Sequence, residues 1–230
     1  MKCQDQVQRF LFEDHPVRGE HVSLDSSWQT IVAQSKVKGV AQLLLGQALA
    51  AATLLVETLK IDGSLSLQIR GNGAIHLLVA EATSRHTIRG ILRQSREPTG
   101  EETSLRDMFG AENLVITINQ AAGKPHQGVV PLSGDSIASA LQLYFDQSEQ
   151  LPTRFWLACD QQTSRGLLLQ KLPELTPDED AWNRMVKLAE TTRNQELLGL
   201  DPGPLLHRLF HQESLQLFEP DSIRFSCTCS

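Results

Sequence analysis

Two cysteines one residue apart, Cys227 and Cys229, stand in the stretch FSCTCS. Thiolates at that spacing can converge on one soft cation, and zinc lowers their pKa and holds them ionised. They then need two further ligands, because zinc takes four nitrogen or sulfur donors tetrahedrally. Without metal the pair can close a small disulfide ring in a bent backbone. A motif able to do either is a candidate redox switch. The spacing alone is not specific, since a lone C-x-C also arises by chance.

Other residues invite chemistry and lose it on context. His207 and His211 lie four apart in HRLFH, a spacing that can put two imidazoles on one metal. Arg208 stands where a metalloprotease carries its glutamate base, and Arg cannot accept a proton; a solvated helix face is the plainer reading. His207, His211, Cys227 and Cys229 together have suitable ligand types, but their spacing matches no familiar finger. Gly71-Asn72-Gly73 lacks the third glycine and the following helix of a phosphate loop, and reads as a hairpin turn. Cys159 follows Phe155, Trp156 and Leu157 in a strand and reads as a small buried residue, while Cys3 reads as exposed near a terminus. No Ser/His/Asp set, paired carboxylates or cofactor loop can be placed, so no catalytic residue is named and the chain is not read as an enzyme.

The elements behind these residues indicate a packed protein. The formal net charge of −6 argues against a nucleic-acid surface and gives no reason to expect an anionic membrane as partner. The N-terminus has no apolar run typical of an export signal, which makes the cytoplasm the default compartment. There thiols are kept reduced, so cysteines serve as metal ligands or redox sensors more often than as structural disulfides. The segment 39–60 is apolar nearly all round, but Gln42, Gln47, Thr53 and Glu57 interrupt it below the roughly 20 residues a span needs. It predicts a buried helix, with Gly46 and Ala50 permitting close contact with another element.

Leu65, Leu67 and Ile69 alternate with polar residues, and Ile75, Leu77 and Val79 do so after the Asn-Gly turn, which predicts a hairpin. Further strands are expected at 7–24, 86–93, 114–119, 128–132, 153–159 and 166–172. Helices are expected from Asp25 or Ser26, before Gly110, and after a cap at Asp135. The result is an α+β fold with a largely antiparallel sheet and helices packed on it. After Pro173 the character changes. Thr176, Pro177 and Glu179 form a dense helix start, and Trp182, Met185, Val186 and Ala189 repeat at helical spacing. Leu205, Leu206, Leu209 and Phe210 form a second stripe. Residues 176–230 carry nine Asp/Glu against five Lys/Arg. The expected division is a core over 1–175, an acidic helical linker over 176–226, and the start of a zinc-binding region at 227–230.

Several blocks in this order carry a resemblance: RFLFEDHPVRGE at 9–20, AAATLLVETLKIDGSLSLQIRGNG at 50–73, QGVVPLSGD at 127–135, SEQLPTRFWLA at 148–158, and the closing FSCTCS. The chain resembles the heat-shock protein 33 family, redox-regulated holdase chaperones of the cytosol. The resemblance implies an α/β core, a helical linker and a small zinc domain held by a C-x-C and a downstream C-x-x-C. It implies Cys227 and Cys229 as zinc ligands when reduced and disulfide partners when oxidised. It further implies zinc release under oxidative stress, an active homodimer, and unfolding client proteins held without ATP. The C-x-x-C is absent here, so the chain reads as a truncated form, with zinc expected only in the full-length reduced protein. The linker stripe Trp182, Met185 and Val186 is the candidate for the surface whose displacement uncovers client binding. The alternatives are a thiol–disulfide oxidoreductase or a passive metal-binding module using the same two cysteines.

Overall fold

The computed structural model describes residues 5–35, 37–59, 61–120, 123–132, 134–149, 151–173 and 179–227. Strands β1 (Gln6–Phe12) and β2 (Val17–Leu24) pair antiparallel, with Phe10 opposite Gly19. A Cβ at position 19 would enter the Phe10 ring, so only glycine lets that ring lie across the neighbouring strand. Helix α1 (Ser26–Gln34) follows where the sequence places it. Its cap comes from upstream. The Asp5 carboxylate accepts from the backbone N–H of Asp25 and Ser27 and from the Ser26 hydroxyl, satisfying donors that a helix start leaves open.

Helix α2 (Gly39–Thr58) is the expected buried helix. It is long and apolar enough to cross a membrane, but its most apolar stretch is 78% buried inside the protein. Gly46 lies against Cys159 and Trp28 with no room for a Cβ, the close approach that Gly46 and Ala50 predicted. Strands β3 (Gly63–Arg70), β4 (Ile75–Thr83) and β5 (Thr87–Gln94) run as an antiparallel meander. Gly71–Gly73 is the hairpin turn, and the Gly73 N–H donates to Phe109 O at 2.9 Å. Phe109 ends the short helix α3 (Leu105–Phe109), which Gly110 stops in the left-handed conformation at φ 56°.

Strands β6 (Asn113–Gln120) and β7 (His126–Pro131) continue the meander's sheet. Helix α4 (Ile137–Tyr144) buries Ile137, Ala140 and Leu141 as expected. Its cap is Ser136 rather than Asp135: the Ser136 hydroxyl accepts from the Ser139 N–H at 3.1 Å, and the Ser139 hydroxyl reaches back. A π-helical turn at Phe145–Glu149 leads to strands β8 (Thr153–Cys159) and β9 (Ser164–Lys171). Helices α5 (Glu179–Glu190), α6 (Asn194–Gly199) and α7 (Pro202–Phe210) come next. Three short strands that the sequence reading did not place then follow: β10 (Leu215–Leu217), β11 (Asp221–Ser222) and β12 (Arg224–Phe225). The predicted helix start at Thr176 and Pro177, and the boundary near 175, lie outside the described residues.

Among the described residues the strands form two sheets. One runs β10-β1-β2-β9-β8, with β11 also on β1; the other runs β12-β5-β4-β3-β6-β7. Every pairing is antiparallel except β12 with β5. The fold is therefore α+β, dominated by antiparallel sheet. Helix α2 packs against strands of both sheets, which makes it the axis of the main core. Each large aliphatic or aromatic side chain closed off there contributes roughly 1.5–3 kcal/mol.

Candidate functional site

The first sheet is covered on both faces. Val7, Val22, Leu24 and Leu168 point into the main core around α2. Their neighbours Phe10, Phe12, Val17, Leu167 and Leu169 point the other way, into a second core. Period-two alternation in a strand produces that division. Because both faces are apolar, β9 shows a continuous buried run instead of alternation.

Helices α5, α6 and α7 close this second face. Ala181, Trp182, Met185 and Ala189 of α5, Leu197 of α6, and Leu205, Leu206, Leu209 and Phe210 of α7 are all buried in it. Val186 packs at the margin, partly buried. Phe210 anchors the arrangement: its ring meets Phe12 edge to face at 5.0 Å and 81°, and lies 6.3 Å from Phe10. Polar contacts fasten the rim. Arg184 bonds Glu213 at 2.9 Å and Arg208 bonds Glu196 at 2.7 Å. Exposed pairs of this kind contribute about 1 kcal/mol or less, so apolar contact holds the helices down. Helices of this length are marginal on their own in water. The sheet stabilises α5–α7, and α5–α7 keep the sheet's apolar face dry.

Two ionisable groups sit inside β2. Glu20 is buried, and burial pushes its carboxyl up to about 8, only partly opposed by the Thr58 hydroxyl at 3.0 Å and by Arg18. His21 is wholly buried, with no hydrogen-bond partner for either ring nitrogen among the described residues. Burial, then the Arg165 guanidinium, pushes its imidazole down to about 3. Asp201, just before α7, acts weakly the other way. Arg165 is also buried and pairs with Asp25 at 2.8 Å.

The cysteines divide sharply. Cys159 is half-buried, and burial followed by Asp160 pushes its thiol up to about 12, which makes it inert. Cys227 is exposed. It stands with Phe225 at a cavity of about 490 Å³ between α1 and β5, lined also by Ile31, Ser35, Ile91 and Leu92. Cys229 and Cys3 lie outside the described residues. Among the described residues Cys227 belongs to no group of three His, Cys, Asp or Glu side chains close enough to share a metal. Those residues do not by themselves make a zinc site. His207 and His211 project from the exposed side of α7 with ring centroids 6.4 Å apart, and no third ligand residue groups with them among the described residues.

The structure thus brings Trp182, Met185 and Val186 together over one surface. Sequence reasoning did not identify the opposing residues, Phe10, Phe12, Val17, Leu167 and Leu169. Their apolar character was visible, but strand alternation does not say what covers each face. A cluster of Glu57, His86 and Asp221 was also missed, because nothing local in the sequence links three such distant positions.

Residues 5–230 match the family model described as Hsp33 protein. A 33 kDa chaperonin of Ectopseudomonas mendocina is 46% identical over 98% of this chain and 78% of its own length. One from Nitrosococcus oceani is 45% identical over 100% of this chain and 79% of its own. The crystal structure of a 33 kDa chaperonin from Thermotoga maritima superposes with a TM-score of 0.81, at 23% identity, over 98% of this chain and 81% of that one, a likeness of fold. With the family match spanning nearly the whole chain, and relatives this similar along their shared length, the chain belongs to the Hsp33 family.

Proposed function

We propose that this protein is a chaperone without enzymatic activity, a redox-regulated holdase that binds unfolding client proteins without ATP. Family membership and relatives named as 33 kDa chaperonins support the chaperone role. The observation that carries the finer reading is the second core. An apolar face of β1, β2 and β9 is shut under three short helices by contact between apolar side chains. Lifting α5–α7 uncovers Phe10, Phe12, Leu167 and Leu169 together with Trp182 and Met185, a contiguous surface suited to exposed apolar segments of clients.

Cys227 and Cys229 are the trigger in this proposal. Reduced, they would supply two of the four ligands of a zinc ion. A two-electron oxidant of the peroxide class would join the two sulfurs in a disulfide, taking up the electrons and protons and leaving as water, and the folding free energy supplied by the metal would be lost. The division into a core at 1–175, a linker at 176–226 and a zinc region from 227 belongs to the same proposal. So do cytoplasmic residence, where thiols are kept reduced, and an active homodimer.

The test compares aggregation of a thermally unfolding client with the wild-type chain and with Phe210→Ala, which loosens the cover. Amide exchange in α5–α7 is followed in parallel. Faster exchange together with stronger suppression of aggregation supports the reading. Faster exchange with no gain in client protection refutes it. Catalysed reduction of insulin, abolished by Cys227→Ser, would instead favour a thiol–disulfide oxidoreductase. Metal affinity with no client protection would favour a passive metal-binding module.

A further inference from the structure

Three potential metal ligands from distant parts of the chain meet where the last strands touch the core. Glu57 is on the final turn of α2. His86 sits in the β4–β5 turn at φ 55°, a left-handed conformation that few non-glycine residues adopt. Asp221 begins β11, which is paired to β1. One ligand-type atom from each lies within 4.8 Å of the other two. The His86 Nε2 to Glu57 Oε1 distance is 3.0 Å.

We propose that Glu57, His86 and Asp221 bind one divalent transition-metal ion of the zinc type, which staples the C-terminal strands to the core. One imidazole nitrogen and two carboxylate oxygens, with water in the fourth position, form a donor set that suits zinc, cobalt or manganese better than calcium or magnesium. Donors bound at about 2.0–2.2 Å stand about 3–4 Å apart around the ion. The His86–Glu57 pair already has that spacing, and a carboxylate oxygen of Asp221 stands within 4.8 Å of both. Cys227 is not a member of this group, and the site does not depend on the chaperone reading.

Charge favours a cation there. Two carboxylates face one guanidinium: Arg9 of β1 bonds Asp221 at 3.1 Å. The Glu57 side chain is 11% exposed. Burial raises its carboxyl above the usual range, with His86 and then Arg9 opposing and Asp221 adding to the rise. A dication beside it relieves that penalty. The charged groups converging there are Glu57 from α2, His86 from the β4–β5 turn, Asp221 from β11 and Arg9 from β1, and Glu20 of β2 interacts electrostatically with Glu57 and Arg9. The backbone N–H of Arg224 donates to His86 O at 3.0 Å, so the same turn also holds β12.

The experiment titrates zinc chloride into the chain carrying Cys3→Ser, Cys227→Ser and Cys229→Ser, which leaves Cys159 as the one remaining thiol, and reads binding by calorimetry. Cobalt absorption then reports the coordination. The expected result is one saturable equivalent, weakened by about tenfold or more in His86→Asn and Asp221→Asn. Asparagine is chosen at position 86 because it tolerates the left-handed conformation. Arg9→Ala leaves every ligand in place and should tighten binding, so the proposal stays testable if a ligand variant fails to fold. Absence of a saturable equivalent overturns it. So does an affinity that is unchanged in both ligand variants, or that falls only in His207→Asn, which would place the ion on α7.

Discussion

The Phe210 ring stands edge-on to Phe12, 5.0 Å away, and this contact joins α7 to β1. Phe210→Ala removes one of the largest side chains of the second core and should cost about 3–5 kcal/mol. The loss should fall on the helical cover rather than on the core around α2. Amide exchange that accelerates in α5–α7 while β3–β6 stay protected checks this; uniform acceleration contradicts it.

His21 should make the protein acid-sensitive. The imidazole is held neutral when folded, at about 3 against an ordinary value of 6.5. Once exposed, it takes up a proton below that ordinary value. Its contribution to stability is therefore complete above about pH 6.5 and is lost as pH falls toward 3, at up to about 1.4 kcal/mol per unit. Urea unfolding of His21→Leu should show a flatter acid limb, gaining about 2 kcal/mol on the wild type at pH 5 relative to pH 7.5.

Glu20 has the opposite sign. Its carboxyl is raised from 4.5 to about 8, so the folded state holds a proton that the unfolded chain releases. That contribution is full below pH 4.5 and is lost as pH rises through about 8. Glu20→Gln keeps the shape without the charge and should reduce the fall in stability between pH 5 and 8. A stability difference between variant and wild type that stays constant across this range would show that Glu20 does not titrate there.

Gly46→Ala should destabilise, because the new methyl meets Cys159 Sγ and the Trp28 ring. A cost of about 1–3 kcal/mol is expected for such overpacking. Adding Cys159→Ala should recover part of it, a coupling that a double-mutant cycle in urea measures.

The thiols should separate by reactivity. In chains retaining one of the two described cysteines and no other, Cys227 should react rapidly with a thiol reagent in the native state, and Cys159 only on unfolding. Native-state labelling of Cys159 at a comparable rate would contradict its burial.

Much of this architecture was readable from patterns with a single physical cause. The β3–β4 hairpin follows from alternation on either side of Asn72-Gly73, and α2 from a long apolar segment with small residues where Trp28 and Cys159 approach. The stripes of α5 and α7 follow from helical spacing. Other features depend on partners far away in the chain. The α1 cap is Asp5, which no local motif reveals. β9 is buried on both faces, so its LLL run carries no facing information. Strands β10–β12 have two or three residues each and exist because β1 and β5 offer open edges. Helix α6 is too short to show a period. Of the candidate site, Trp182 and Met185 were legible, but Phe10 and Phe12 could not be assigned to them until the sheet was known to be covered twice.

The terminal strands also set a mechanical order. β10 and β11 grip one sheet through three and two residue pairs, and β12 grips the other through two. Tension applied at Cys227 meets these grips in series, β12 first, then β11, then β10, before any load reaches α7. The tail behaves as a zipper of small teeth, and a tug at the thiol end is graded by three weak releases before the aromatic anchor at Phe210 is loaded.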